Sequence, residues 1–156
     1  MLTNKATFAA GCFWGVEHKF AQIPGVIGTR VGYCGGHTIN PSYEQVCRDN
    51  TGHAEAVEII FDPQKIRYLD LLDVFWGLHN PTWLNRQGPD IGSQYRSVIF
   101  YHNTEQQQLA IMTKGELIAA KIYDQPIVTE IIAVTEFYPA EEYHQQYLSK
   151  HGTNYC

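Results

Sequence analysis

Cys12 stands in the run Gly11-Cys12-Phe13-Trp14-Gly15, where the apolar stretch Ala6 to Ala10 gives way to residues at helical spacing. A thiol at a strand-to-helix turn faces open backbone N–H groups and the positive end of the helix dipole, and both favour thiolate. The flanking glycines allow a tight turn and leave the sulfur uncovered. Phe13 and Trp14 offer an apolar wall beside it. Taken alone, Cys12 reads equally well as a small buried hydrophobe among core aromatics. Glu55 is the second candidate. It precedes Val57, Ile59 and Phe61 by even steps, so it shares their side of a strand. A carboxyl at the head of an apolar face is partly desolvated, which favours its protonated form and suits it to deliver a proton to a substrate oxygen. The competing reading puts Glu55 at the sheet rim, capping a turn after Gly52.

Tyr43 and Tyr95 lie in or beside two long loops, and Asp90 follows Gly88-Pro89. Phenols hydrogen-bond an oxygen without carrying charge, although loop tyrosines and turn aspartates are also common for structural reasons. The seven histidines include no H-x-x-x-H spacing, and none stands beside a pair of cysteines. No metal is therefore expected, and His53, next but one to Glu55, is read as structural.

The elements that must position these residues alternate. Strands are expected over Ala6–Ala10, Val26–Tyr33, Ala54–Phe61, Ser97–Tyr101 and Ile127–Val134. Helices are expected from about Cys12 to Gln22, Tyr68 to Leu78, and Thr104 to Ile122, the last opened by a Thr104/Gln107 capping box. A final helix is expected to open at Pro139, Glu141 and Glu142 and to close near Lys150. Two irregular stretches, His37–Gly52 and Pro81–Gln94, are long enough to be functional. The alternation predicts a two-layer α/β plait, one mixed sheet with helices mainly on one face.

At 156 residues, without repeat or linker, the chain is expected to form a single catalytic domain over 1–156. A net charge of -5 argues against nucleic acid as the main partner. No apolar run is long enough for a membrane span. Met1-Leu2-Thr3-Asn4-Lys5 has no signal-peptide character, so a cytoplasmic location is expected. Cysteines at 12, 34, 47 and 156 then read as thiols or catalytic groups rather than a disulfide framework. Nothing calls for an obligate oligomer, so a monomer is expected.

In order along the chain stand Gly11-Cys12-Phe13-Trp14-Gly15, Gly32-Tyr33-Cys34-Gly35-Gly36, and Asn40-Pro41-Ser42-Tyr43-Glu44-Gln45-Val46-Cys47. They are followed by Thr51-Gly52-His53-Ala54-Glu55-Ala56-Val57, Asp90-Ile91-Gly92-Ser93-Gln94-Tyr95-Arg96-Ser97 and His144-Gln145-Gln146-Tyr147-Leu148. Together these segments resemble the A-type peptide methionine sulfoxide reductases across nearly the whole chain. The resemblance implies a ferredoxin-like plait and reduction of methionine-(S)-sulfoxide, in proteins and as the free amino acid. It implies Cys12 as nucleophile, Glu55 as proton donor, Tyr43, Tyr95 and Asp90 around the substrate oxygen, and Phe13 with Trp14 as the cage for the substrate methyl group. No bound cofactor is implied; thioredoxin is the implied reductant. The resemblance and the polar tail, 151–156, point to Cys156 as the resolving thiol on a mobile segment. Cys34 and Cys47 remain its rivals. A thiol peroxidase, or an inactive module that binds oxidised methionine, is the alternative function.

Overall fold

The computed structural model describes residues 4–48 and 50–151. Its frame is β1 (Asn4–Ala10), α1 (Phe13–Ala21), β2 (Val26–Cys34), α2 (Tyr43–Cys47), β3 (Ala54–Phe61) and α3 (Tyr68–Gly77). There follow the two-residue strands β4 (Arg86–Gln87) and β5 (Asp90–Ile91), then β6 (Ser97–Tyr101) and α4 (Thr104–Ala119). The chain continues through β7 (Glu130–Ala133) and β8 (Tyr138–Pro139) to α5 (Tyr147–His151). The main sheet has the order β7-β6-β1-β3-β2-β8, while β4 and β5 form a separate hairpin. Only β6 and β7 pair in parallel. The inner order β6-β1-β3-β2, reached as strand, helix, strand, strand, helix, strand, is the ferredoxin-like plait that the sequence pattern predicts.

Residue alternation along the strands decides where the helices lie. Phe8, Val57, Ile59 and Phe61 point to one face and join α1, α3 and α4 in the principal core. Phe8 is its pivot, stacking on Phe20 of α1 at 5.4 Å and on Phe75 of α3 at 5.0 Å. The intervening residues Ala9, Ala54 and Ala56 are small, and with Cys34, Val98 and Phe100 they pack against Ile132, Val134 and Phe137. No helix packs on this face among the described residues; β7 and the stretch that follows it reach it through Ile132, Val134 and Phe137.

Several expectations need correction: the stretch Pro81–Gln94 carries the β4–β5 hairpin, and the strand expected over Ile127–Val134 is confined to Glu130–Ala133. The stretch His37–Gly52 holds α2, opened by a capping box in which Ser42 Oγ accepts from Gln45 N and Gln45 Oε1 from Ser42 N; five residues are too few for periodicity to betray. The cap of α4 is Asn103 rather than Thr104, its Oδ1 accepting from Gln106 N, and the helix ends at Ala119. The continuous helix expected from Pro139 is broken: β8 pairs with β2, a 3-10 turn spans Glu142–His144, and α5 starts only at Tyr147. Gln146, at φ 49, separates the two helical pieces. Side chains of this segment are committed to distant partners. Gln145 accepts from Val31 N and donates to the Val31 and Ala140 carbonyls, acting as one more strand residue beside β2.

Candidate active site

Gly11 joins β1 to α1 with φ 103, and a Cβ there would stand 2.9 Å from Cβ of Gln87. Only glycine satisfies both the left-handed backbone and that close approach. Cys12 is thereby set at the N-cap of α1, where its side chain makes no capping bond. The N–H of Phe13, the first helical residue, instead donates to Oε1 of Glu55 at 3.1 Å. The helix terminus that sequence reasoning assigns to the thiol thus also anchors the carboxyl. Glu55 is 1% exposed, so the competing rim position is not the one it occupies.

Tyr43 is the first residue of α2. Its N–H donates to Oε2 of Glu141 at 3.0 Å, and Oε1 of Glu141 accepts from the Tyr33 hydroxyl at 2.8 Å. These bonds hold the Glu141 carboxyl below its ordinary range although burial acts the other way. The Tyr43 ring lies along Phe13 with centroids 6.3 Å apart. Burial, then the Glu55 charge and a hydrogen bond with Cys47, push its phenol upward. Tyr95 ends the 3-10 turn Ser93–Tyr95. Burial raises its phenol too, and it feels negative charge at Glu55, Cys47, Asp90 and Cys12. Both phenols therefore stay protonated at neutral pH and can donate to an oxygen.

Arg96 fixes the Tyr95 turn relative to Glu55. It donates to the Ser93 carbonyl at 3.0 Å, to the Gly52 carbonyl at 2.9 Å and to the Glu130 carboxylate at 2.9 Å. Asp90 is half-buried, with its carboxyl pushed upward by desolvation, and borders with Cys12 a cleft of about 300 Å³. Cys12, Glu55, Tyr43, Tyr95 and Asp90, drawn from five different segments, thus meet in one place.

The two aromatics after Cys12 differ in kind. Phe13 is 1% exposed and supports Tyr43 from beneath, so the accessible part of the apolar wall is Trp14. Trp14 stacks on Tyr147 at 3.8 Å with 7° between planes, and its Nε1 donates to Nδ1 of His144 at 2.9 Å. His144 Nδ1 must be unprotonated to accept that bond, which fixes the neutral tautomer. Burial lowers the His144 pKa in agreement. Glu141, His144, Tyr147 and Arg96 are the residues that sequence reasoning left without a role. Three of them lie in or beside the His144–Leu148 motif, which was their only signal.

Cys34 is 0% exposed and belongs to the alanine-lined face of the sheet, away from Cys12. Cys47 is exposed and lies beside the Tyr43 hydroxyl, within reach of the Glu55 charge. Burial raises both thiols. His151, expected in the tail, is the last residue of α5. Residues 152–156, Cys156 included, lie outside the described residues. Among the described residues no three His, Cys, Asp or Glu side chains could hold a metal ion, and no helix is long and apolar enough to cross a membrane.

The family model for peptide methionine sulfoxide reductase matches residues 4–156. The chain belongs to the peptide methionine sulfoxide reductase family. It is therefore grouped with oxidoreductases. Peptide methionine sulfoxide reductase MsrA of Methanosarcina acetivorans is 63% identical over 96% of this chain and 79% of its own length. The enzyme of that name from Methanothermobacter thermautotrophicus is 59% identical over 98% of this chain and 90% of its own. Among solved structures, Mxr1 from Saccharomyces cerevisiae in reduced form superposes with TM-score 0.92 at 35% identity, covering 99% of this chain and 88% of that one. Methionine sulfoxide reductase A of Corynebacterium diphtheriae gives 0.88 at 37% identity over 99% and 77%. The plait and the strand-to-helix cysteine thus belong to a reductase family rather than to a peroxidase.

Proposed function

We propose that the chain reduces methionine-(S)-sulfoxide, in proteins and as the free amino acid, with Cys12 as nucleophile. The observation that carries this reading is the Glu55 carboxyl, held at the N-terminus of α1 beside Cys12 and faced by the Tyr43 and Tyr95 phenols. A sulfoxide has an electrophilic sulfur and a poorly leaving oxygen. Thiolate attack on sulfur becomes easy when the oxygen, as it gains electron density, meets donors already aimed at it. Glu55 in its protonated form transfers a proton to that oxygen, and the phenols stabilise it. Asp90 borders the network, and Trp14 encloses the substrate methyl group, with its ring held by His144 and Tyr147.

The S–O bond of the adduct breaks as the twice-protonated oxygen leaves as water, giving a sulfonium joined to Cys12 by an S–S bond. Water then attacks the Cys12 sulfur, the S–S bond breaks with its electron pair going to the methionine sulfur, and a proton is lost, leaving methionine and Cys12 as sulfenic acid. A second thiol attacks that sulfur, expels the oxygen as water and forms a disulfide. The sequence makes Cys156 the proposed attacker, with Cys47 as the rival that its position beside Tyr43 favours over Cys34. Thioredoxin, the reductant that the family resemblance implies, returns both sulfurs to thiols by thiol–disulfide exchange. A reducing cytoplasmic setting fits that recycling.

The test is turnover of each sulfoxide epimer with thioredoxin, its reductase and NADPH. The S epimer should disappear and the R epimer remain, and Cys12→Ser should abolish the reaction. Cys156→Ser should release one equivalent of methionine at near-normal speed and then stall until a small thiol is added. Residual pure S epimer, or activity in Cys12→Ser at a tenth of the parent or more, would refute the reading. Undiminished thioredoxin-driven turnover in Cys156→Ser would pass resolution to another cysteine.

A further inference from the structure

From Cys12 and Asp90 a cleft extends away from Glu55, Tyr43 and Tyr95, none of which lines it. This cleft of about 300 Å³ runs between α1 and the β4–β5 hairpin, with Val16, Leu78, Trp83 and Pro89 as apolar walls and Lys19 on its rim. Such a volume sits at the small end of ligand pockets and holds one or two side chains. Gly15, Val16 and Lys19 share one side of α1, whereas Trp14, Glu17, His18 and Ala21 turn the opposite side toward Gln146, Leu148 and Ser149. The last described part of the chain therefore lies across α1 from the cleft and does not fill it.

Lys19 is the cation that lines the cleft, and Arg86 reaches it only through the Trp83 ring. Lys19 is exposed, and the Arg86 guanidinium lies over the Trp83 ring at 4.7 Å, in a chain whose net charge is -5. Asp90 and Cys12 line the same cleft. From Phe13 to Lys19 the helix rises about 9 Å. An extended peptide climbs about 3.3 Å per residue, so it covers that span in two to three residues.

We propose that this cleft is the subsite for the polypeptide flanking the oxidised methionine. It takes an apolar side chain next to the sulfoxide residue and an acidic one two or three positions away, with Lys19 as the specificity-determining residue. The inference rests on the methionine sulfoxide reading above. Continuity with Cys12 ties the cleft to the substrate chain: whatever peptide carries the sulfoxide must leave the nucleophile along some wall, and here that wall is apolar with Lys19 about two turns along α1.

The experiment uses the full chain with a small dithiol as reductant. It measures kcat and KM for free methionine-(S)-sulfoxide and for short peptides carrying one such residue. The peptides place Leu or Gly beside it and Glu, Gln or Lys two or three positions away on either side. The peptide with Leu and Glu should exceed the free amino acid about tenfold in kcat/KM, through KM. Glu should be preferred over Lys by about threefold, as befits an exposed ion pair. Lys19→Glu should invert the Glu/Lys preference while turnover of the free amino acid stays as it was. An identical peptide ranking in parent and variant would overturn the proposal. So would a Lys19→Glu effect confined to the KM for thioredoxin, measured in a parallel series with thioredoxin in place of the dithiol, which would give the cleft to the reductant. Absence of turnover on every sulfoxide would overturn the functional reading along with it.

Discussion

The bond from the Phe13 N–H to Glu55 explains how a carboxyl reaches a helix terminus beside a cysteine. The amide isostere of Glu55 would keep the size and an acceptor oxygen but could not yield a proton. Glu55→Gln should therefore slow the single-turnover reduction by about a hundredfold or more, with substrate affinity little changed. A single-turnover rate within about threefold of the parent would hand the proton to Asp90 or a tyrosine. Period-two spacing from Val57, Ile59 and Phe61 was enough to assign Glu55 its face, because a strand leaves each residue only two choices. The roles of His144 and Glu141 were not legible in the same way. Each acts through a partner more than 90 residues away, Trp14 for one and Tyr33 and Tyr43 for the other, and no local pattern encodes such a pairing.

At the scale of elements, the segment after β8 replaces a helix by a series of latches. His144 takes the Trp14 indole, Gln145 bonds the backbone of β2, and Gln146 bonds Glu17 at 2.8 and 3.0 Å. The acidic and helix-favouring composition of Glu141 to Lys150 reads as one helix because propensity is local, whereas these long-range bonds outweigh it. Gln145→Ala would leave Val31 N and Ala140 O short of their buried partner, whereas Val31 O keeps its bond from Ala140 N at 2.9 Å. Each such loss costs roughly 1–3 kcal/mol, and water entering the gap recovers part of it. The variant should lose about 2–4 kcal/mol in urea unfolding. Its KM for methyl sulfoxides should also rise, since the same segment carries His144 and Tyr147 against Trp14. A loss below about 0.5 kcal/mol would mean that this amide is no structural strand substitute.

The whole molecule joins its helix layer to the sheet partly through His79. Its Nδ1 lies 2.8 Å from the Phe75 carbonyl, so that nitrogen carries the proton, and Nε2 accepts from Ser97 Oγ at 2.7 Å. Ser97 Oγ in turn meets Thr129 Oγ1 at 2.7 Å, so one chain of bonds runs from the end of α3 through the first residue of β6 to the approach of β7. Burial pushes the His79 pKa down to about 4, partly offset by the bond to Phe75. Because the folded value lies below the unfolded one of about 6.5, this stability is fully present above pH ~6.5, where both states are neutral. As pH falls from there toward about 4, the unfolded chain takes up a proton that the folded chain refuses, and stability is lost. The loss from this one group approaches roughly 3 kcal/mol below that window. His53, His102 and His144 are also lowered by burial and act in the same direction. The consequence reaches the site, because Asn80, the next residue, exchanges two hydrogen bonds with the Gln87 side chain and so sets the hairpin that carries Asp90. Urea unfolding at several pH values between 7.5 and 4.5 should show the parent losing stability steadily. His79→Gln should start less stable yet lose about 2 kcal/mol less across the range. Parallel pH profiles for the two proteins would show that the acid sensitivity comes from elsewhere.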